Sequence, residues 1–469
     1  MCYNVMIYSY EYSKEIFEEY KMQKYNHIYF IGIGGISMSA LAEVMIDEGV
    51  RVSGSDRSSS HMVDKLKKLG AEIHINHESK NITDNIDLVV YTSAISNDNP
   101  ELLRAQELSL NIMDRAEFLG LLMKNYEHAV CVSGTHGKTT TTGMLSSVLI
   151  ETDMQPTIFL GGEMDSLGGN MLLGSNDLLL TEACEYKRNF LKFNPTMEVI
   201  LNIEEDHLDY YKDLSDIESA FVEYAEKIPA DGHLIVNVKH AELFKNLKCS
   251  VITFGSDSGA DYYPENISLF PAPLYTLMHK GQKVVDINLR VFGEHNISNS
   301  LAAAAACLAL GVNAGTVKKG LHDFKGTHRR YEYKGTVNGA SIIDDYAHHP
   351  SEMKATLKTA KSYTEGKVIT VFQPHTYTRT KKLLNEFAEA LTHSDEVILL
   401  DIYAAREKDM GEVSSKDVIG IMKNSYGRDG KYAESFEAAA DIIRTLATEG
   451  DTVITMGAGN VDEVVEYLK

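Results

Sequence analysis

Cysteine is scarce in this chain of 469 residues, and its five cysteines are scattered, odd in number and never spaced as Cys-x-x-Cys. A disulfide framework or a cysteine-ligated zinc site needs paired or regularly spaced cysteines, so neither is predicted. The pattern is typical of a protein that works in the reducing cytoplasm. The cysteines are Cys2, Cys131, Cys184, Cys249 and Cys307.

Positive charge is also in short supply. Lysine and arginine number 45 against 67 aspartates and glutamates, which gives a formal net charge of −22. Such a surface repels the phosphates of nucleic acid, so nucleic acid is not expected as a partner. An anionic small molecule would need local cationic groups, and Mg²⁺ usually accompanies phosphates in an acidic protein.

Long apolar runs and leader-type segments are missing as well. The longest run of small apolar residues, around Ala302 to Ala306, is too short to span a bilayer, so no membrane insertion is expected. Residues 1–25 place glutamates among tyrosines, unlike the basic and then apolar order of a secretory signal. They match no motif, and we expect an N-terminal extension that forms a surface helix.

The length predicts several domains, because one compact domain usually holds roughly 100–200 residues. Three segments each open with an apolar run typical of a β-strand and continue with helical periodicity. This pattern predicts an α/β protein with mostly parallel sheets. The predicted domains are 26–123, 124–330 and 331–469, after the extension 1–25.

The apolar runs also predict individual elements. One helix is predicted to begin near Ser39, and another is predicted from Thr139 to Leu149. The predicted strands are 27–31, 50–52, 88–91, 128–132, 178–180, 199–202, 234–236, 341–343, 368–372, 397–400 and 452–456.

The strongest local motif is a glycine turn between a predicted strand and a predicted helix. Glycines let backbone N–H groups close around phosphates, and a helix N-terminus favours their negative charge. Lys138 can reach the outer phosphates and Thr139 can ligate Mg²⁺, so the turn predicts ATP binding. The full P-loop pattern has a glycine where Val132 stands, which leaves open a plain turn with an incidental lysine. The turn consists of Gly134, Thr135, His136, Gly137, Lys138, Thr139 and Thr140.

A second glycine turn follows the strand predicted at 27–31. With Asp56 downstream, it is typical of a Rossmann turn that holds a pyrophosphate and places the aspartate near a ribose. Ser37 occupies the third glycine position, which weakens the case for a dinucleotide, and a UDP-sugar would use the same pyrophosphate geometry. A turn that serves only helix packing is the alternative. The glycines are Gly32, Gly34 and Gly35.

Two acidic clusters follow predicted strands of the second segment. Ligands of open α/β sheets bind beyond the carboxyl ends of strands, so both clusters can face the phosphates. Glu182 and His207 are the predicted Mg²⁺ ligands. For Glu204, Glu205 or Asp209 taken singly, a solvated acidic surface is the better interpretation.

Polar groups near the end of the second segment allow two interpretations each. Asn296 and Asn299 precede an alanine-rich run, where they can contact a ligand or simply cap a helix. The guanidinium of Arg329 or Arg330 can stack on adenine and pair with phosphate, or it can form an interdomain salt bridge.

Aspartate, histidine and arginine follow two predicted strands of the third segment. Because parallel strands end at one edge of a sheet, these groups form a candidate rim that contacts substrate. A capped turn is the alternative for the two histidines before Pro350. No third clustered ligand indicates a metal there. The rim consists of Asp345, Tyr346, His348, His375 and Arg379.

Taken together, these motifs resemble those of the Mur ligase family. The resemblance implies three domains: a Rossmann-like N-domain that binds a UDP-linked substrate, a central P-loop ATPase domain with a mostly parallel sheet, and a Rossmann-like C-terminal domain that closes over an amino acid. The matching stretches are 32–35, 134–140, 182–185, 202–207, 295–299, 344–350 and 372–379. Ser37, Thr376 and Arg406 depart from the family pattern.

The resemblance also implies roles for single residues. Lys138, His207, His348 and Arg379 would be catalytic. ATP would be bound by residues 134–140 with Asn296, Arg329 and Asp345, and Mg²⁺ by Thr139, Glu182 and His207. The UDP-linked substrate and the amino acid would be bound by Gly32, Gly34, Gly35, Asp56, Tyr346, His348, His375 and Arg379.

The implied reaction joins L-alanine to the carboxylate of UDP-N-acetylmuramate. A carboxylate is a poor acyl donor, so it would first attack the γ-phosphorus of ATP and become an acyl phosphate. The alanine amine would then attack the acyl carbon, with His348 as the general base. Only small-molecule partners are expected, and the protein would be a monomer or a weak homodimer.

Three other functions remain open on the sequence. A ligase that recycles murein tripeptide would use the same nucleotide machinery, although Gln373-Pro374-His375 favours alanine. A nicotinamide-dependent dehydrogenase would explain the Gly32 turn and leave the Gly134 turn unexplained. A binding module without catalysis would make Glu182 and His207 mere surface groups.

Overall fold

The computed structural model describes residues 25–92, 95–207, 210–405 and 407–469. The extension predicted for residues 1–25 therefore lies outside the described residues, except for Tyr25, and so does Arg406. The helices are α1 (Ile36–Asp47), α2 (His61–Lys68), α3 (Pro100–Glu107), α4 (Arg115–Met123), α5 (Lys138–Leu149), α6 (Leu214–Ala225), α7 (Glu294–Ala309), α8 (Ala314–Asp323), α9 (Pro350–Tyr363), α10 (Tyr377–Lys382), α11 (Leu384–Leu391), α12 (Ser415–Tyr426) and α13 (Phe436–Leu446).

The strands form three sheets. They are β1 (His27–Ile31), β2 (Arg51–Asp56), β3 (Glu72–Ile75), β4 (Leu88–Tyr91), β5 (Asn111–Asp114), β6 (His128–Ser133), β7 (Thr157–Met164), β8 (Gly169–Leu172), β9 (Leu178–Glu182), β10 (Met197–Ile200), β11 (His233–Asn237), β12 (Ser250–Phe254), β13 (Tyr262–Ser268), β14 (Leu274–His279), β15 (Gln282–Asn288), β16 (Glu332–Val337), β17 (Ala340–Asp345), β18 (Val368–Phe372), β19 (Glu396–Leu399), β20 (Lys431–Tyr432) and β21 (Thr452–Met456).

The first sheet has five parallel strands in the order β3-β2-β1-β4-β5. Strand β1 is buried at every position, as expected for a central strand covered on both faces. The parallel arrangement brings the carboxyl ends of all five strands to one edge, and Gly32 begins a turn at that edge.

The second sheet has ten strands, and seven of them run in the order β12-β11-β10-β6-β9-β7-β8. Strand β6 lies between β10 and β9 and is parallel to both. The segment after β6 is therefore flanked by the segments that follow β9 and β10. This order positions the Gly134 turn between the two acidic clusters.

The third sheet has six strands in the order β16-β17-β21-β18-β19-β20. The β16–β17 pair is antiparallel, and the remaining pairs are parallel. Strands β17 and β18 flank β21, so the segments after Asp345 and Phe372 leave the same edge of the sheet, one strand apart.

The described chain divides into two compact units. The first consists of the residues up to Tyr263 together with Met278–Gln282 and Leu301–Gly320, and the second contains Pro264–Leu277, Lys283–Ser300 and Leu321–Lys469. In the first unit, one continuous apolar core contains residues of both the first and the second sheet, such as Phe30 and Cys131, together with Phe118 of α4. The second unit has its own cores on the two faces of the third sheet.

The structure confirms the α/β class and most of the predicted strands. The strands predicted at 27–31, 88–91, 368–372 and 452–456 have the observed bounds. The helix predicted near Ser39 begins at Ile36, and the strand predicted at 199–202 ends at Ile200. Short or half-exposed strands such as β3, β5 and β13 were not predicted, because their apolar periodicity is weak.

No helix in the described part of the chain is both long enough and apolar enough to cross a bilayer.

Candidate active site

The Gly134 turn connects β6 to α5 in the first unit. Gly134 and Gly137 have φ angles of 130° and 85°, in the region that favours glycine. Helix α5 begins at Lys138 and has no side-chain cap. No capping side chain therefore accepts a hydrogen bond from the first N–H groups of the helix, which face the turn. Such an end attracts an anion.

Asn202 attaches this turn to the end of β10. The backbone N–H of His136 donates to Oδ1 of Asn202 over 2.8 Å, and Nδ2 of Asn202 donates to the His136 carbonyl over 3.1 Å. The Thr135 hydroxyl accepts the Glu204 N–H over 2.9 Å. The segment after β10 therefore holds the turn in this conformation before any ligand binds.

Lys138 points back into the turn and toward the acidic cluster after β9. Its Nζ lies 3.1 Å from Oε2 of Glu185 and 3.1 Å from the Thr135 carbonyl. Burial lowers the pKa of Lys138, but the neighbouring Glu185 outweighs this effect and the pKa is raised. The ammonium is thus fully charged at neutral pH, as phosphate binding requires.

Thr139 and Glu182 form a second pair beside the turn. The Thr139 hydroxyl donates to Oε2 of Glu182 over 3.0 Å, and the Gly161 N–H donates to Oε1 over 2.7 Å. Two of the three predicted metal ligands are therefore adjacent to each other.

The third predicted metal ligand, His207, belongs to a different group. Its Nε2 lies 3.8 Å from Glu185 and 3.7 Å from Asp206, and ligand atoms of these three residues lie within 4.8 Å of one another. The structure thus groups His207 with Glu185 and Asp206, whereas Glu182 contacts Thr139. The strand order explains the grouping, because the segments after β9 and β10 flank β6.

The second glycine turn is held by β2. Gly32 and Ile33 donate their N–H groups to the Ser55 carbonyl over 2.8 and 3.0 Å. The Gly34 N–H donates to Oδ2 of Asp56 over 2.9 Å, so the predicted ribose ligand faces the turn itself. A Cβ at Gly34 would lie 2.9 Å from that oxygen, which explains the glycine.

A buried carboxylate lies beneath this turn. Glu101, on α3, is fully buried and accepts the hydroxyls of Tyr29 and Ser55 over 2.8 and 2.5 Å. Nδ2 of Asn81 donates to it over 2.7 Å, and Nδ1 of His77 lies 3.1 Å away. Since Ser55 also holds the turn, Glu101 connects the helix α3 to the candidate phosphate site.

In the second unit, Arg329 is already engaged by the protein. Its Nε donates to Asp344 over 3.0 Å, and its terminal nitrogens donate to the carbonyls of Gly457 and Gly459 over 2.8 and 2.7 Å. Arg329 therefore forms a salt bridge, and the bridge lies within this unit. Arg329 and Arg330 both lie over the Tyr346 ring, at 5.2 and 5.1 Å from its centroid.

The residues of the predicted rim of the third segment lie together, and their aromatic and imidazole rings contact one another. The centroids of Tyr346 and His348 are 5.5 Å apart, and those of His348 and His375 are 6.0 Å apart. Tyr403 stacks on the other side of His375 at 5.7 Å. Arg379 donates to Nδ1 of His375 over 3.2 Å. These contacts place two imidazoles and a guanidinium side by side.

Both imidazoles are held neutral. Burial lowers the pKa of His348, and the Arg379 charge lowers it further. Burial lowers the pKa of His375 to about 4, and the neighbouring His348 and the Arg379 charge add to this effect. A neutral imidazole can accept a proton, so His348 has the protonation state of a general base.

Two nearby residues have structural partners. His349 caps α9, so the capped-turn interpretation is correct for this histidine. Asp345 accepts the Tyr331 and Ala347 N–H groups, and burial raises its pKa to about 6.

The helix-cap interpretation of the asparagines is wrong. Helix α7 begins at Glu294, before both asparagines. Nδ2 of Asn296 donates to the Phe292 carbonyl over 2.7 Å, and Nδ2 of Asn299 donates to Oδ1 of Asn296 over 3.0 Å. Their side chains hold the entry to the helix from within its first turns.

The predicted site residues thus form two sets, one in each unit. The two glycine turns, Asp56, Glu182 and His207 belong to the first unit, and the ring cluster with Asn296, Arg329 and Asp345 belongs to the second. Sequence reasoning missed Asp206, Glu101 and Tyr403 as contacts of these sets. Asp206 was detectable as a neighbour of His207, whereas the other two depend on strand order.

Comparisons with known proteins bear on the whole chain. Three family models match it: Mur ligase family, catalytic domain, at residues 27–127; Mur ligase middle domain, at 132–307; and Mur ligase, glutamate ligase domain, at 329–459. The matches lie in series and cover most of the chain.

Similar proteins of known name span nearly the same length. A UDP-N-acetylmuramate–L-alanine ligase from Acetivibrio thermocellus is 48% identical, over 95% of this chain and 96% of the relative. One from Clostridium acetobutylicum is 47% identical, over 94% and 97%.

Solved structures of two ligases are also similar to this chain. A UDP-N-acetylmuramate-alanine ligase from Thermotoga maritima matches with a TM-score of 0.78 and 31% identity, over 94% of this chain and 98% of that one. A murein peptide ligase from Psychrobacter arcticus matches with a TM-score of 0.70 and 25% identity, over 94% and 98%.

Proposed function

This chain belongs to the Mur ligase family, and we propose that it uses ATP to join L-alanine to the carboxylate of UDP-N-acetylmuramate. The products would be UDP-N-acetylmuramoyl-L-alanine, ADP and phosphate, in the synthesis of peptidoglycan precursors. The observation that carries the proposal is the 48% identity, over 95% of the chain, to a relative named for this reaction.

The first step activates the substrate carboxylate. The Gly134 turn and the N-terminus of α5 bind the ATP phosphates, and Lys138 moves from its own backbone acceptors onto the transferring phosphoryl group. A carboxylate oxygen attacks the γ-phosphorus, ADP leaves, and an acyl phosphate forms. Lys138 offsets the charge that develops during the transfer.

Magnesium fits two groups of residues beside the turn. Glu185, Asp206 and His207 offer two carboxylates and an imidazole within 4.8 Å, and Thr139 and Glu182 offer a hydroxyl and a carboxylate. Carboxylate and hydroxyl oxygens are the ligands that Mg²⁺ prefers. Bound Mg²⁺ would neutralise the phosphate oxygens and so favour phosphoryl transfer.

The second step forms the amide. We assign this step to the second unit, where Arg379 and His375 provide donors for the alanine carboxylate and His348 provides a neutral imidazole. His348 takes a proton from the alanine amine, the amine attacks the acyl carbon, and phosphate leaves. Asn296, Arg329 and Asp345 are assigned to nucleotide binding, as the family resemblance implies.

The UDP-linked substrate is assigned to the first sheet. The N-terminus of α1, at Gly35, has no side-chain cap and faces the carboxyl edge of that sheet. Its N–H groups can bind the diphosphate, while Asp56 shapes the turn from behind. A UDP-linked substrate thus accounts for the Gly32 turn without a dinucleotide cofactor.

A ligase that recycles murein tripeptide is the second candidate, and the match to a murein peptide ligase from Psychrobacter arcticus supports it. Its identity of 25% is below the 31% found with the alanine ligase from Thermotoga maritima. Alanine is therefore the preferred acceptor.

One experiment tests both candidates. Phosphate release is measured with ATP, Mg²⁺ and UDP-N-acetylmuramate in three mixtures: with L-alanine, with the tripeptide, and with neither. We expect release only with L-alanine, together with a product whose mass has grown by one alanyl residue. Release only with tripeptide would select the recycling reaction, and no release in any mixture would reject ligation.

We further propose that the reaction takes place in the cytoplasm, where ATP is abundant. The four cysteines in the described residues are free thiols, as a reducing compartment predicts. A monomer or weak homodimer is the proposed state, and sedimentation at several protein concentrations would measure it.

A further inference from the structure

Arg115 stands at the edge of the first sheet where the UDP-linked substrate is proposed to bind. It is the first residue of α4 and follows β5 directly. Strand β5 is parallel to β4, and β4 is parallel to β1, so their carboxyl ends share one edge with the Gly32 turn.

The Arg115 guanidinium has no hydrogen bond or ion pair with any described residue, although the residue is only partly exposed. Among the described arginines, only Arg57 also lacks a polar or aromatic partner, and Arg57 is exposed. An unpaired cation withdrawn from water is costly, so proteins seldom leave one without a function.

The two carboxylates beside it in the sequence, Asp114 and Glu117, already have other hydrogen-bond and ion-pair partners. Oδ1 of Asp114 caps α4 by accepting the Ala116 and Glu117 N–H groups over 2.9 and 3.0 Å, and Asp114 also forms an ion pair with Lys192. Glu117 accepts the Asp114 N–H over 2.9 Å and lies 3.4 Å from Lys192. The local acid groups are thus satisfied without Arg115.

We propose that Arg115 binds an anionic group of the UDP-linked substrate, either its diphosphate or its carboxylate. The inference rests on the proposed function. Arg115 would supply a full positive charge to a site that otherwise offers backbone N–H groups. A guanidinium suits both groups, because it can donate two parallel hydrogen bonds to a phosphate or a carboxylate. Substrate binding would then supply the partner that the free protein lacks.

The test uses full-length Arg115→Met and Arg115→Lys, with Arg51→Met as the matched control. Arg51 lies at the opposite, amino end of β2 in the same sheet and pairs with Glu72 at the surface. Calorimetry measures the affinity of each protein for UDP-N-acetylmuramate and for UDP-N-acetylglucosamine, which has the same diphosphate and lacks the carboxylate.

We expect Arg115→Met to raise the Kd for UDP-N-acetylmuramate by roughly ten- to a hundredfold, the range for losing hydrogen bonds to a charged group. Arg115→Lys should lose less affinity for UDP-N-acetylmuramate, and Arg51→Met should bind it as the wild type does. Equal weakening of both ligands identifies the diphosphate, and weakening of UDP-N-acetylmuramate alone identifies the carboxylate.

A stability measurement separates binding from a structural role. Because Arg115 has no partner in the free protein, Arg115→Met should unfold in urea at the same midpoint as wild type or at a higher one. Wild-type affinity of Arg115→Met for both ligands would overturn the proposal, and so would a lower midpoint with unchanged Kd. Phosphate release by the wild-type protein tests the proposed function independently of these variants. The proposed function therefore stands even if the inference about Arg115 fails.

Discussion

Lys138 is the residue on which the phosphate chemistry depends most directly. We expect Lys138→Met to lower the rate of phosphate release by at least about a hundredfold, because no other cation in the Gly134 turn replaces it. Its affinity for UDP-N-acetylmuramate should be unchanged, since that substrate is assigned to the first sheet. Phosphate assays and calorimetry measure the two effects. Lys245→Met, at an exposed lysine, is the control, and wild-type turnover in Lys138→Met would contradict the assignment.

The identity of the Mg²⁺ ligands can be tested at single residues. The geometry groups His207 with Glu185 and Asp206, whereas the sequence predicted Glu182. We expect Glu185→Gln to raise the Mg²⁺ concentration for half-maximal phosphate release by roughly tenfold or more, by the usual cost of losing a ligand-shell group. Glu223→Gln, at an exposed carboxylate, should behave as wild type.

A Mg²⁺ requirement that shifts in Glu182→Gln and stays unchanged in Glu185→Gln would restore the set predicted from the sequence. Shifts in both variants would mean that both groups of residues hold metal.

The pH dependence of the reaction follows from the two imidazoles. The pKa of His348 is lowered from its ordinary value of 6.5, so the base is lost only when the pH falls below that value. We expect kcat/KM for L-alanine to stay level down to pH 6.5 and to fall at lower pH. In His348→Gln the rate should be low, without this acid limb. An acid limb centred above pH 6.5 in the wild type, or one retained in His348→Gln, would remove His348 from the role of base.

At the scale of elements, Glu101 joins α3 to β1, β2 and the segment after β3. We expect Glu101→Gln to lower the free energy of unfolding by about 2 kcal/mol or more, because the new amide presents a donor to groups that are themselves donors. Urea unfolding measures the change. Glu107→Gln on the same helix is the control, since Glu107 is exposed and pairs only with Arg104. Equal stability of the two variants would contradict this account.

The whole molecule is expected to unfold in two steps, although three domains lie along the chain. The core that contains Phe30 and Cys131 is continuous across the first two sheets, and the second unit has separate cores. Scanning calorimetry should therefore resolve two transitions. Val130→Ala should lower one transition and Val453→Ala the other, because each residue is fully buried in a different unit. A single transition lowered by both variants would show that the units unfold together.

Prediction from sequence succeeded where the relevant information is local. The Gly134 turn combines a strand, two glycines, Lys138 and a helix within a short stretch, and each part has a direct physical reason. Strands that are buried on both faces, such as β1 and β18, were found because they are continuous apolar runs. The helix-cap alternative for Asn296 was wrong, since weak capping signals do not fix a helix start.

The sequence by itself determined the α/β class, the two glycine turns and the residue types available for phosphate transfer, because these depend on neighbours along the chain. Only the tertiary structure decided which acid groups meet: β6 lies between β9 and β10, and that order brings Glu185 to His207. It also decided that Arg329 is paired and Arg115 is not. Partners of this kind come from distant segments, and strand order and burial select them.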